Sequence, residues 1–360
     1  MSEDRERTQR LIERCKSLGF AACGVCAAEP SRWSKEFEAW IAAGKHGSMT
    51  WLAEHADVRC DVRLMLADAA SVLMVADQYA VRGQREDRHG RVRLGRVARY
   101  ARGRDYHVVL KKRLHTLCDE LSKAYPGERF RAFVDTAPVL ERELAARCGI
   151  GWTGKHTLTI HPRLGSYVLL GGVVTTLRLE ASAEQRVVAD HCGTCTRCID
   201  ACPTQAITPY AVDARRCVSY LTIEHRGLIE EEFFEGIGDW VFGCDVCQEV
   251  CPHNSERAGA AGERAGSVYP AYEARVSGFD LLEVLGWEED ERREACSGSA
   301  IKRAKLDMMR RNAAIAAGNE LARGEDAALR ARIEEIARDD ASELVRETAL
   351  QVLRRSGERL

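Results

Sequence analysis

Eight of the chain's fifteen cysteines stand between residues 192 and 251, in an order that points to electron transfer. Cys192, Cys195, Cys198 and Cys202 spell C-x2-C-x2-C-x3-C, and Pro203 follows. This is the spacing in which bacterial proteins hold 4Fe–4S clusters. Cys244, Cys247 and Cys251 repeat the end of that run before Pro252, but Val241 fills the first cysteine's slot, and Cys217 is the natural replacement. In paired runs the fourth cysteine serves the other run's cluster. One 4Fe–4S cluster is therefore expected on Cys192, Cys195, Cys198 and Cys251, and a second on Cys202, Cys217, Cys244 and Cys247. Thiolates suit the task because they are soft and anionic. The short spacings let one turn present several sulfurs, and each proline stops the helix that would otherwise continue. Zinc reads C-x2-C but has no use for the triple run and its C-P ending. Disulfides are disfavoured because the amino terminus, MSEDRERTQR, does not read as a secretory signal.

The elements that must position these thiolates come from a chain of 360 residues, 45% hydrophobic and 30% charged, a globular composition large enough for two or three domains. The longest apolar run, Tyr167–Val174, contains two glycines and is too short to span a bilayer, so a cytoplasmic site is expected. The formal net charge of −2 does not advertise nucleic-acid binding, but the distribution is uneven. Twelve Lys and Arg lie between Arg82 and Arg113 against Glu86, Asp87 and Asp105, and Lys302, Arg303, Lys305, Arg310 and Arg311 form a second cluster. Such local patches can bind phosphate while the remaining surface repels it.

Before residue 180 helical and strand patterns alternate, which predicts an α/β (α+β) domain. Helices are expected at 3–19, 34–43, 106–125 and 139–148, and strands at FAACGVC, at 71–79, at 131–134 and within 151–179. Residues 91–105, RVRLGRVARYARGRD, read as a glycine-punctuated basic loop, either solvated or a lid over an anionic ligand. Cys23 and Cys26 sit in an apolar strand pattern with no second pair nearby, and read as small core residues rather than a redox pair. Gly151, Gly154 and Lys155 do not make a phosphate loop, and no G-x-G-x-x-G opens a βαβ unit. The Gly/Ala-rich link ERAGAAGERAGSVYP precedes a helical tail. There Gly318-Asn319 is expected to end one helix, and the helix 343–354 to bury Leu344, Ala349, Leu350 and Leu353, as a HEAT-like pair or a plain helical cap. The expected domains are 1–180, a ferredoxin-like 181–262 and an all-helical 270–360.

Six segments together carry a family resemblance. They are HCGTCTRCIDACP at 191–203, CDVCQEVCP at 244–252, RYARGRDYH at 99–107, VDTAPVLER at 134–142, GWTGKHTL at 151–158 and RNAAIAAGN at 311–319. Across nearly its whole length the sequence resembles the epoxyqueuosine reductases, cobalamin and iron–sulfur enzymes of tRNA modification related to reductive dehalogenases. The resemblance implies reduction of the epoxide of epoxyqueuosine at the tRNA wobble position to give queuosine. It implies base-off cob(II)alamin in the resting form, fed by two 4Fe–4S clusters from an external low-potential donor, and a monomer. A related reductase of a small epoxidised or halogenated compound is the alternative.

Asp135 is implied as the proton donor, its pKa raised by Phe133, Val134, Pro138 and Val139; from the residues alone it reads rather as the N-cap of the following helix. The corrinoid contacts implied are Arg59, Arg99, Tyr100, Asp135, Lys155, His156, Ser219 and Asp245, with Lys155 alternatively holding a structural carboxylate and Asp245 capping a turn. Glu224, His225 and Arg226 fall in the segment that approaches tRNA, and Lys302, Arg303, Lys305, Arg310 and Arg311 would meet its phosphates. No role is assigned to His161-Pro162.

Overall fold

A computed structural model describes residues 2–83, 93–181, 185–255 and 267–357. Eleven strands follow in chain order: β1 Ala22–Ala27, β2 Ser71–Gln78, β3 Leu94–Val97, β4 Phe130–Val134, β5 Trp152–Thr153, β6 Thr159–Ile160, β7 Val168–Thr175, β8 Ile207–Thr208, β9 Ala211–Val212, β10 Trp240–Phe242 and β11 Gly278–Asp280. The main sheet has the order β1-β2-β7-β4, and every neighbouring pair is antiparallel. The amino-terminal region is thus α+β, without the parallel βαβ crossovers of a doubly wound fold.

Both faces of this sheet are covered, so its central strands are apolar at almost every position. Leu73, Val75 and Val173 face the helices Glu3–Ser17 and Tyr106–Ala124 through Leu11, Cys15, Leu110, Leu114 and Leu117. Val72, Met74, Ala76 and Val174 face the helix Glu141–Arg147 through Leu144 and Ala145. Cys23 packs with the first layer beside Cys15, and Cys26 with the second beside Cys148. A three-residue offset on a strand puts the two sulfurs on opposite faces, so they cannot act as a pair.

The segment read as a basic loop is partly a strand. β3 pairs parallel with β10 and antiparallel with β11, joining amino-terminal, central and carboxy-terminal stretches in one sheet. Gly95 makes this possible, because a Cβ there would stand 2.6 Å from Val241 and 2.9 Å from Leu281. Arg96, Arg99 and Arg102 of the segment point inward, while Arg104 is exposed. Arg96 lies 3.7 Å over the Trp240 ring and donates to Glu249 at 2.6 Å. Arg102 donates twice to the Val97 carbonyl, and Arg113 is held between Phe20 and Tyr269 while pairing with Asp77. Much of the expected basic patch is therefore internal. Residues 84–92 and most of the Gly/Ala-rich link lie outside the described residues.

The carboxy-terminal region is helical, with the helix Leu306–Leu321 at its centre. Ala313, Ala314, Ala316 and Ala317 are all buried there, so neighbouring elements approach its backbone closely. The helix runs through the expected stop at Gly318-Asn319. A Cβ on Gly318 would meet Val352 at 2.6 Å, and Asn319 donates to the carbonyls of Phe234 and Gly238 at 2.6 and 2.8 Å. These two residues serve packing rather than termination. The last helix, Glu343–Gly357, turns Val345, Thr348, Ala349 and Val352 inward, so of the expected core residues Ala349 is buried while Leu344, Leu350 and Leu353 are half-buried. Among the described residues no helix is long and apolar enough to cross a membrane.

Arg311 is the largest fully buried side chain. It donates to the carbonyls of His225, Gly227 and Leu221 at 2.8, 2.7 and 2.7 Å. Burial lowers its pKa to about 10, which still leaves it charged at neutral pH. Asn312 beside it donates to the carbonyls of Thr222 and Val241, both at 2.9 Å. Arg311→Leu would strand three buried acceptors and should cost roughly 3 kcal/mol or more at about 1–3 kcal/mol per unmet group. Thermal unfolding of the anaerobic holoprotein would show this as a lowered midpoint, whereas exposed Lys305→Ala should leave it within about 0.5 kcal/mol of wild type.

Candidate active site and cluster-binding loops

Each cysteine run folds as a loop closed by a single helical turn, Arg197–Asp200 in one and Val246–Glu249 in the other. Cys217 stands at the N-cap position of the helix Val218–Ile223, with the N–H groups of Ser219 and Tyr220 near its sulfur. The eight thiols fall into two neighbourhoods. Cys251 lies within electrostatic reach of Cys192, Cys195 and Cys198. Cys244 lies within reach of Cys217 and Cys202, and Cys247 within reach of Cys244 and Cys217. Cys247 also feels Cys198, so the two neighbourhoods adjoin.

The donor chemistry fits iron–sulfur clusters. Burial pushes the Cys244 and Cys247 thiols up, and Cys251 to about 11, so a bound cationic core is needed to hold them as thiolates. Backbone N–H groups of Lys155, Val246 and His253 approach Cys192, Cys244 and Cys251, as ligands to an anionic cluster require. Among the described residues no three Cys, His, Asp or Glu side chains close on a point suited to one metal ion.

Asp135 follows β4 in a turn, with φ of +38°, a left-handed conformation that Asp tolerates better than most residues. It caps no helix, since the next begins at Glu141 with Leu140 before it. Its neighbours Phe133, Val134 and Val139 point into the core and leave its side chain 49% exposed. Its carboxylate bonds His107 Nε2 at 2.9 Å, His107 Nδ1 bonds Asp105 at 2.7 Å, and Lys302 Nζ donates to Asp105 at 2.6 Å. The Tyr106 hydroxyl lies within electrostatic reach of Asp135, and its ring stacks on His107 with centroids 4.0 Å apart.

This line of groups reverses the expectation of a carboxyl raised by burial. Burial does push Asp135 up, but the bond from His107, with the Tyr106 hydroxyl nearby, outweighs it and holds the carboxyl below its ordinary value. For His107 burial acts downward, and the bonds to Asp105 and Asp135 overcome it to raise the imidazole to about 9. At neutral pH the proton sits on His107 and the negative charge on Asp135. Sequence reading named neither Asp105, Tyr106 nor His107 as a site residue. The only signal was their place in RYARGRDYH, because Asp135 is remote in the chain.

Of the expected corrinoid contacts, Arg59 and Tyr100 lie within electrostatic reach of Asp135. Arg59 is buried, lies within electrostatic reach of Glu141 and Asp135, and its Nε has no protein acceptor. His156 is buried, accepts from the Leu158 N–H through Nδ1 at 3.1 Å, and leaves Nε2 without a protein partner. Buried donors of this kind need an outside partner, and an amide- and phosphate-bearing corrinoid supplies acceptors. Tyr100 packs between Tyr106 and Phe242, within reach of both Asp135 and Asp245. Arg99 is buried, and its backbone N–H donates to Asp245 at 2.7 Å. Asp245 is itself buried, which raises it to about 6. Its carboxylate thus ties a cluster loop to the Arg99 segment and is not at an open edge. Lys155 donates to the carbonyls of Gly193 and Cys195 at 2.6 and 3.0 Å, so it fastens the first cluster loop and holds no carboxylate. Ser219 is half-buried beside Cys217.

The second basic cluster divides. Arg226, Lys302, Arg303 and Lys305 are exposed. Arg303 forms a two-pronged pair with Glu224 at 2.7 and 3.0 Å, lies 5.3 Å from the exposed Trp51 ring, and is within electrostatic reach of Asp135. His225 Nε2 bonds the Leu228 carbonyl at 2.7 Å. Arg310 is turned inward onto Asp340 and the Leu285 carbonyl, and Arg311 is enclosed. Neither presents a charge to a phosphate, because each guanidinium is spent on satisfying buried acceptors.

Two family models match the chain: "Epoxyqueuosine reductase QueG, DUF1730" over residues 59–136 and "4Fe-4S double cluster binding domain" over residues 191–254. The epoxyqueuosine reductase of Xanthomonas campestris is 39% identical over 343 residues, covering 94% of this chain and 93% of its own. That of Pseudomonas aeruginosa is 37% identical over 361 residues, covering 97% and 94%. A solved epoxyqueuosine reductase holding an epoxyqueuosine-modified tRNA-Tyr stem loop superposes with a TM-score of 0.85 at 27% identity, covering 98% of this chain and 90% of that one. The Bacillus subtilis enzyme, with its catalytic aspartate loop swung out of the active site, gives 0.84 at 27% identity, covering 99% and 95%. With relatives this similar along nearly its full length, the chain belongs to the epoxyqueuosine reductase family.

Proposed function

We propose that this protein reduces the epoxide of epoxyqueuosine in tRNA to the alkene of queuosine, with Asp135 and His107 handling the proton. The observation that carries the reading is the Asp135–His107–Asp105–Lys302 line, which sets a charged proton source beside an open carboxylate. Removing the epoxide oxygen as water consumes two electrons and two protons. A corrinoid bound beside Asp135, with Arg59, His156 and Tyr100 as its contacts, would supply the reduction of the carbon–oxygen bond, its electrons drawn through the two clusters.

The chain's own residues supply the rest. As negative charge grows on the departing oxygen, Asp135 gives it a proton drawn across the 2.9 Å bond from His107. Asp105 and Lys302 fix the imidazole from behind, so its orientation needs no adjustment during turnover. Arg303 sits between the acid site and the exposed surface, where it and Arg226, Lys302 and Lys305 meet the phosphates of an anticodon arm. In this reading residues 1–180 house the corrinoid, 181–262 the clusters, and 270–360 form a HEAT-like platform for tRNA. The protein works in the cytoplasm as a monomer.

Asp135→Asn should retain iron, sulfide and corrinoid yet lose about 10²–10⁴-fold in turnover on an epoxyqueuosine-containing stem loop. Undiminished turnover would remove Asp135 from the chemistry. Wild-type turnover should fall as pH rises through about 9, where His107 loses its proton; the same raised pKa makes the pair's contribution to folding stability complete below about 6.5 and lost above about 9. His107→Asn should abolish that alkaline limb. Arg226→Ala combined with Lys305→Ala should weaken stem-loop binding and lower the slope of log K against log salt by about 1.5, measured by fluorescence anisotropy.

A further inference from the structure

Trp152 has no task in the reading above, and its surroundings assign it one. It lies on β5 opposite Ile160, and its side chain is 4% exposed. The indole packs in a small cluster with Cys251, Ile160 and Cys192. Two imidazoles meet its ring edge-on, His191 with centroids 5.1 Å away and His253 at 4.8 Å. The ring is therefore fixed on several sides. Its Nε1–H is closed off from water and has no acceptor among the protein's atoms. An indole N–H can only donate, and a buried donor without an acceptor is costly unless a bound group receives it. Cys192, a ligand expected for the first cluster, is the sulfur that packs against this ring and lies within its reach.

We propose that the Trp152 indole N–H is a hydrogen-bond donor to the first cluster at its Cys192 corner, and that it raises this cluster's reduction potential. Adding one electron to an oxidised cubane places negative charge on its sulfurs, and a fixed donor stabilises that form more than the oxidised one. Trp152 thereby tunes how readily the first cluster takes an electron relative to the second. It is a positioning and tuning residue and touches neither corrinoid nor substrate. The proposal rests on the two-cluster reading.

The test is an anaerobic redox titration of the reconstituted holoprotein followed by EPR, with Trp152→Phe compared with wild type. Phenylalanine keeps an aromatic filler and deletes the donor. One of the two cluster signals should become harder to reduce, its reduced-to-oxidised ratio at fixed potential falling about three- to tenfold, where tenfold is 59 mV for one electron. The other signal should not move. Both midpoints unchanged at full iron and sulfide content would overturn the proposal. If the variant fails to keep its first cluster, wild-type protein labelled with ¹⁵N in the indole ring decides: pulsed EPR of the reduced cluster should show an indole nitrogen coupling, and its absence overturns the proposal. A wild-type protein that binds no second cluster would instead contradict the two-cluster reading.

Discussion

The guanidinium of Arg311 and the amide of Asn312, buried side by side, hold five backbone carbonyls from the segments that flank the second cysteine group. Those segments have little regular structure of their own. The helix after Cys217 is only six residues long, and the chain from His225 to Gly227 is open turn. Short loops that must present sulfurs at fixed positions need their backbone groups satisfied from elsewhere. Here the helix Leu306–Leu321 does so. Thr222 extends the same lattice, accepting from the Gly243 N–H at 2.9 Å immediately before Cys244.

The same carboxy-terminal stretch reaches the acid site. Gly298 accepts from the Asp105 N–H at 2.7 Å, Ser299 donates to the Ala101 carbonyl at 2.5 Å, and Lys302 pairs with Asp105. The motif RYARGRDYH is thus gripped by residues about 200 positions away, while Asp245 grips it from the second cysteine run. The carboxy-terminal helices were expected to bear on tRNA binding alone. Instead they brace both a cluster loop and the imidazole behind Asp135, so truncation would damage the chemistry as well as binding.

How far the sequence was legible depends on whether the signal was local. Cysteine spacing with terminal prolines is local chemistry, and the structure brings those sulfurs into two adjoining sets. Strand and helix positions in the first 180 residues also followed from periodicity, because both sheet faces are covered and the runs are unambiguous. β3 was misread because its arginine looks like solvated charge, and only tertiary stacking on Trp240 and pairing with Glu249 make Arg96 a core residue. Arg310 and Arg311 misled for the same reason. Gly318-Asn319 carried a stop signal that close contact with Val352 overrode. His107 was missed because its partner stands on another element, and no spacing rule connects the two. Asp135 was identified through resemblance, but its charge state followed only from that neighbour.

The central claim joins cluster-fed reduction to a proton held at Asp135 and His107. Its most direct test is a single-turnover reaction of anaerobic protein, loaded with both clusters and corrinoid, on a stem loop carrying epoxyqueuosine. Mass spectrometry of the digested nucleosides should show the modified base lighter by one oxygen and carrying the alkene, with two electrons consumed per product. Fully loaded protein that binds the stem loop, accepts electrons and returns the epoxide intact would contradict it.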